Sequence, residues 1–370
     1  MAITFTKEPQ GNLLNAYNNS IVEFTTDIGT AARAIIRVGS FVFDITPIQN
    51  VFFFNFKRIV SVLINQDNFS DTISVDLPTS FNFQDPKLYL EFTFDIEIIK
   101  TTGVSESVSK TYKYLKSVKQ LLGQRISESE ELRILLPSID TNKYLTYFEG
   151  LPIDVAIYSS SARQISILNK RTGTIFQLQL AKGVNRIFIS NGENDNQGFE
   201  GMLPLLIGIN QLEITFDVVK KVMLYITKRE VRCGTYLKWF NQSGGWSYWR
   251  FRNHFTEKEN TKSLGEINND SFNIEDGQSN TLTVGKTSDA ERNVSSGLMT
   301  EEERLHLVEL LTSPRVFIYD NDSLQPFSLT DWKAVDVKSG SKDTKDTKKI
   351  KSELELTVQL PEINTQVYAG

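Results

Sequence analysis

The sequence predicts a mainly β protein of two to three β-sandwich-like domains with a few short helices. Three observations carry this. Short strand-like runs recur along most of the chain, separated by turn signals, without the helical alternation of βαβ units. Phenylalanine is abundant, 24 in 370 residues, and aromatic side chains suit pleated, half-buried surfaces. One stretch, 233–251, reads as two aromatic strands joined by Gly244-Gly245, and it holds three of the four tryptophans.

Residues 1–128 predict an N-terminal β-rich domain with a connector helix. Segments 20–24, 34–38 and 41–45 have strand composition, the last with Phe41, Phe43 and Ile45 on a buried face. Residues 51–64 fit a short helix across the end of a sandwich through Phe53, Phe56, Val60 and Leu63, although Phe52-Phe53-Phe54 also suits a strand. Residues 88–98 are the clearest strand. Phe92, Phe94, Ile96 and Ile98 alternate with Glu91, Thr93, Asp95 and Glu97, the pattern of a sheet with one wet face. Within 105–124, Tyr112, Leu115, Val118, Leu121 and Leu122 predict an amphipathic connector, with Gly123 suited to its end.

Residues 129–230 predict a middle β-sandwich-like domain, with strands at 152–158, 164–168, 174–180, 185–190, 211–216 and 222–226. Residues 191–201 form a polar loop. Residues 231–370 predict a C-terminal β domain with the aromatic hairpin, an extended polar arm over 257–293 and one capped helix. Thr300 and Glu303 have the spacing of a capping box. The helix they open carries Leu307, Leu310 and Leu311, and Pro314 stops it. A strand follows at 315–319, and the tail pairs 332–337 with 354–360 across the net basic run 338–351.

Composition narrows function by exclusion. A formal charge of −5 and a pI near 5.4 argue against a primarily nucleic-acid-binding surface, while the basic run leaves local DNA contact open. Cys233 is the single cysteine, so an intrachain disulfide is excluded, in keeping with a reducing cytoplasm. Residues 1–8 lack the layout of a cleavable export signal. No apolar run approaches the roughly 20 residues that span a bilayer, so no membrane partner is expected.

Reactive motifs are equally scarce. His254 and His306 are the two histidines, and with one cysteine they do not make a zinc set. Arg232 beside Cys233 could lower a thiol pKa, but a buried strand cysteine is the expectation. Gly285-Lys286-Thr287 imitates the end of a phosphate loop, yet the glycine required five positions earlier is Asn280. Loops 191–201 and 320–322 offer oxygens without the terminal Glu of a calcium loop. No catalytic residue, cofactor or metal is expected. The candidate interface residues are Tyr236, Trp239, Trp246, Tyr248, Trp249 and Phe251 of the hairpin, with Lys342, Lys345, Lys348 and Lys349 of the basic run. The hairpin aromatics suit core and subunit packing, or a platform that stacks on sugar rings.

The run from Cys233 to Phe251, with Trp239-Phe240-Asn241, then Gly244-Gly245, then an aromatic strand, resembles a pattern of tail and neck structural proteins of tailed bacteriophages, notably crAss-like phages. Segment 299–317, a Thr-Glu-Glu helix with Leu310-Leu311-Thr312-Ser313-Pro314 before a strand, resembles the same group. Segments 41–45 and 50–63 do so loosely, and the run 338–351 is not part of the pattern. The resemblance implies a non-enzymatic virion component made in the host cytoplasm. It would form a symmetric ring of its own copies at the tail, neck or tail hub and dock other tail, neck or portal-proximal proteins. The alternatives are a carbohydrate- or receptor-binding β-sandwich adhesin and a glycan hydrolase, the latter needing two carboxylates across one cleft.

Overall fold

The computed structural model describes residues 3–26, 31–73, 81–118, 129–138, 141–192, 199–217, 220–230, 233–268, 275, 281–320, 328–338, 353–361 and 365. Among these the chain is mainly β, as the sequence predicts, with short α-helices at Lys57–Ile64, Phe199–Met202 and Glu301–Val308.

The N-terminal block is a sandwich. One sheet joins Ile3–Lys7, Ile21–Thr26 and Phe52–Asn55. The other orders Leu13–Asn15, Ser105–Leu115, Tyr89–Lys100, Ala31–Val38 and Phe41–Ile45. Alternation fills the space between them: Phe92, Phe94, Ile96 and Ile98 are buried with Phe24, Phe52 and Phe56. Glu91, Thr93 and Asp95 face out.

Two expectations are corrected here. Ser105–Leu115 is a strand, not the start of a connector helix, and pairs with Tyr89–Ile99 along its whole length. Its Ser/Thr/Tyr-rich alternation outweighs the looser helical spacing. Residues 119–128, which held the rest of that expectation, lie outside the described set. Residues 51–64 divide into the strand Phe52–Asn55 and the helix Lys57–Ile64. Phe53 is 53% exposed; Phe56 and Val60 are buried as expected, and Ile59 and Ile64 join them.

The middle block supplies two more sheets. Four strands run in the order Leu132–Ile134, Ile153–Ser159, Gly183–Ser190 and Asn82–Gln84, the last contributed by the N-terminal block. Five run in the order Lys143–Phe148, Lys220–Arg229, Gly208–Phe216, Arg163–Asn169 and Ile175–Leu180. Gly183–Ser190 is buried at every position, because it is covered on both faces.

The C-terminal sheet has seven strands: Trp246–Arg250, Tyr236–Phe240, Val316–Tyr319, Trp332–Val337, Glu355–Gln359, Thr281–Ser295 and Thr256–Asn268. The polar arm is therefore an extended hairpin. Strand Glu355–Gln359 pairs with Glu291–Ser295, and on its other side it meets only the end of the preceding strand, at Asp336 and Val337, with the Lys338 amide donating to the Thr357 carbonyl. The capping box forms as predicted: the Glu303 amide donates to Thr300 Oγ1 at 3.3 Å, and the Thr300 amide donates to Glu303 Oε2 at 3.0 Å. One continuous apolar core runs through both later blocks to Val358, takes in Leu13, Leu88 and Leu115 of the N-terminal block, and does not divide at residue 230.

The turn at Gly244-Gly245 explains its own composition. Gly244 has φ +91°, the left-handed region, and a Cβ there would stand 3.1 Å from the Lys116 carbonyl oxygen. A Cβ on Gly245 would stand 2.7 Å from the Leu135 carbonyl oxygen and 3.2 Å from Ala156 Cβ. The turn is wedged between the other two blocks. Gly245→Ala is expected to lower unfolding free energy by about 1–3 kcal/mol through overpacking. Urea denaturation checks this, and an unchanged midpoint would show that the turn has room to move.

Candidate functional site: a buried charge cluster behind the aromatic hairpin

All six aromatic candidates of the hairpin are core. Tyr236, Trp239, Trp246, Tyr248, Trp249 and Phe251 are at most 5% exposed. This corrects their placement as interface residues, and it removes them as a sugar-stacking platform. The physical reason is that both hairpin faces are covered. Trp249 meets Phe148 edge-on at 5.5 Å, and the Tyr236 hydroxyl donates to the Pro152 carbonyl at 3.0 Å, both from the middle block. Trp246 meets Phe317 at 5.8 Å within the C-terminal sheet. Lys342, Lys345, Lys348 and Lys349 lie outside the described residues.

What the rings enclose is charge. Arg186, on the fully buried strand Gly183–Ser190, has no exposed side-chain surface. Its Nε and Nη2 donate to the two oxygens of Asp154 at 2.9 and 2.8 Å. Its Nη1 and Nη2 donate to Asp71 at 2.6 and 3.1 Å. One guanidinium thus forks to two carboxylates, the geometry in which arginine binds most strongly. Asp85 stands 3.7 Å away, and the Tyr248 hydroxyl donates to Asp154. Lys238, on the hairpin strand, donates to Asp71 at 3.0 Å. Its Nζ lies 4.2 Å from the Trp332 ring centre and 5.1 Å from those of Trp246 and Phe317. Desolvated cation–π contacts of this kind help hold an ammonium away from water.

The electrostatics follow from burial and pairing. Burial opposes ionisation of Asp71, but Arg186 and Lys238 outweigh it and hold the carboxyl well below the usual range. Burial likewise opposes the charge on Arg186, yet Asp154 and Asp71 raise its pKa further. Burial lowers the pKa of Lys238 despite Asp71, and burial raises that of Asp85 despite Arg186. The indole N–H groups of Trp239, Trp246 and Trp249 find no acceptor among the described residues, a desolvation cost that the packing has to offset.

Asp71 belongs to a short irregular segment after the helix Lys57–Ile64. The same segment supplies Asp67, which pairs with the buried Lys116 at 2.9 Å. Between them Phe69 stacks on Tyr17 at 5.9 Å and tilts against Phe240 at 5.0 Å. Asn68 and Phe69 both have positive φ, 50° and 58°. For a bulky residue that conformation is strained, and here it aims Phe69 at the hairpin. A second cluster joins the buried Lys228 to the buried Glu200 and, at 2.7 Å, to the exposed Glu149, with the Tyr147 hydroxyl donating to Glu200 at 2.7 Å.

Sequence reasoning missed these charges. Their signal was a lone charge inside an apolar strand: Lys238 in Tyr236–Phe240, Asp154 in Ile153–Ser159, Arg186 in Gly183–Ser190. The expectation for the single cysteine is also corrected. Cys233 is exposed, not buried in a strand. His306 is packed inside, 8% exposed, because the capped helix lies against strand Lys143–Phe148. Burial depresses its pKa to about 4. His254 is exposed. Among the described residues no cluster of three metal-ligating side chains occurs, and no helix is long and apolar enough to cross a membrane. The Arg186 cluster joins segments of all three blocks and is shut away from solvent.

No protein-family profile matches the sequence, and no curated protein matches it. Among solved structures, the chain is similar to one of a 1.5-MDa bacterial ice-binding adhesin at 12% identity, covering 80% of this chain and 91% of that one, with a TM-score of 0.20. It is also similar to titin A168169, at 9% identity over 62% of this chain and 100% of that one, with a TM-score of 0.23. Scores this low carry no argument about function.

Arg186→Met is expected to cost about 3–5 kcal/mol, because it strands two buried carboxylates. Arg186→Lys is expected to recover little, since an ammonium does not fork to both. Chemical denaturation of the two variants measures this, and wild-type midpoints would refute the role given to Arg186. A pH effect comes from Glu309, whose carboxyl burial pushes up to about 8 from 4.5 while the Gln242 amide opposes the shift. Between those values the folded state holds a proton that the unfolded state has released, so stability falls as pH rises through that window. Glu309→Gln is expected to flatten this slope. Unfolding measured at pH 5 and pH 8 tests it, and equal pH dependence in both proteins would rule it out.

Proposed function

We propose that the chain is a non-enzymatic structural component of a tailed-phage tail or neck that assembles with copies of itself and holds other virion proteins. The observation that carries the self-assembly reading is the hairpin Thr256–Asn268 with Thr281–Ser295. Beyond Ala290 it extends, among the described strands, as a two-stranded ribbon with Leu264, Ile267 and Leu282 about half exposed, while the body turns its aromatics and charges inward. Two-stranded ribbons are marginal in water unless another surface covers them. The phage placement rests on the resemblance of segments 233–251 and 299–317, and the ring, tail-hub or neck position is part of the same proposal. The hairpin that motivated a glycan-binding adhesin is buried, so that alternative has no platform there.

Native mass spectrometry with negative-stain imaging of the purified chain tests the reading. A discrete oligomer of defined symmetry is the expected result. A monomer at every accessible concentration would remove self-assembly from the proposal.

A further inference from the structure

The strand Phe41–Ile45 ends the five-stranded sheet of the N-terminal sandwich. Among the described residues only Ala31–Val38 pairs with it. Its free side is apolar. Phe41 is 39% and Val42 62% exposed, and Asp44, the one charged residue of the strand, is already bonded to Arg33 at 3.0 Å. Phe43 tilts against Phe54 at 5.2 Å, so the end strand of the facing sheet, Phe52–Asn55, lies beside it. Free edges are usually guarded by charge, proline or a bulge. This one has no proline and no lysine, and its register with Ala31–Val38 is unbroken.

The turn that opens the strand fixes which backbone groups are free. Val38 and Phe41 face one another across Gly39-Ser40, with Gly39 at φ +53°. The residues flanking a two-residue turn bond to each other, and bonded and non-bonded positions alternate along an antiparallel pair. Phe41, Phe43 and Ile45 therefore direct their N–H and C=O groups to the Ala31–Val38 strand. Those of Val42 and Asp44 point outward.

We infer that this edge pairs antiparallel with the same edge of a second copy, Val42 of each opposite Asp44 of the other, with the two Phe43 residues facing across the two-fold axis. This register bonds the outward groups of both residues and takes in all five residues of each strand. A shift one way sets Asp44 against Asp44, and a shift the other way runs Asp44 into the turn at Ser40. Phe41 stacks on Phe43 at 6.5 Å in each copy, so the pairing gathers both pairs of rings on one face. What selects a second copy is the complementarity of the edge with itself: equal length, matched outward groups and no like charges opposed. The inference rests on the self-assembly reading above and names a contact for it away from the arm. Such a contact is isologous, so every assembly that contains it has an even number of copies.

The test uses the full chain with two substitutions at one exposed residue, their folding checked by circular dichroism. Val42→Asp sets a second carboxylate against each Asp44 of the pair, and Val42→Lys sets an ammonium there. Native mass spectrometry and sedimentation are expected to show an even-numbered wild type, this contact weakened at least about tenfold in Val42→Asp, and association within about threefold of wild type in Val42→Lys. A contact that merely buries Val42 would be weakened by both. Loss of association in Val42→Lys, or none in Val42→Asp, overturns the pairing and leaves self-assembly standing, as does an odd-numbered assembly. A wild type that is monomeric throughout removes both readings.

Discussion

The Arg186 guanidinium, wholly removed from water, is the constraint to which the rest of the molecule is fitted. An unpaired charge in that position would cost several kcal/mol, and its partners come from distant parts of the chain. Asp154 lies on the neighbouring strand, Asp71 follows the first helix, and Asp71 in turn pairs with Lys238 of the hairpin. The cluster is satisfied only when the three blocks are docked in one register. Buried ion pairs of this kind contribute little net stability over a well-packed apolar core. Their effect here is selective, since a slipped strand or an undocked hairpin leaves charge without a partner.

That constraint also accounts for the aromatic character of the hairpin. Lys238 shares a strand face with Tyr236 and Phe240 and lies opposite both Tyr248 and Phe317. A lysine buried there needs a carboxylate at its tip and polarisable walls along its stem. Trp246, Phe317 and Trp332 are those walls. Lys116 repeats the solution on the other side, with Asp67 at its tip and Phe69 below. Asp67, Phe69 and Asp71 thus act as one plug that fastens the N-terminal sandwich to the rest.

The fold was legible wherever one physical signal acted alone. The strand at Tyr89–Lys100 follows directly from its alternation, and the capped helix from Thr300 and Glu303. Legibility failed where two periods overlapped, as in Ser105–Leu115, whose partner strand decided the outcome. The candidate site was half legible. The hairpin announced itself by composition, but whether its rings faced water depended on what lay across from them, a long-range fact. The buried charges were visible as isolated ionisable residues in apolar strands, and their partners were not, because Asp71 sits in an irregular segment 115 positions from Arg186. Cys233 was misplaced because it sits beside the hairpin strand, not in it.

The same economy of charge shapes the exposed arm. Near the body its charges are neutralised locally, Arg292 on Glu257 and Lys338 on Glu291. Along the free edge strand, Glu257 and Glu259 alternate with Lys258 and Lys262, so one face is acidic and the other basic. In antiparallel pairing, residues directly opposite share a face. Two such edges brought together would therefore set acid against acid and base against base, a barrier of the kind that protects exposed edge strands. Antiparallel edge-to-edge association of arms is disfavoured along this stretch. A ribbon so arranged sets like charge against like charge when two free edges meet, and is protected from pairing with itself along that edge.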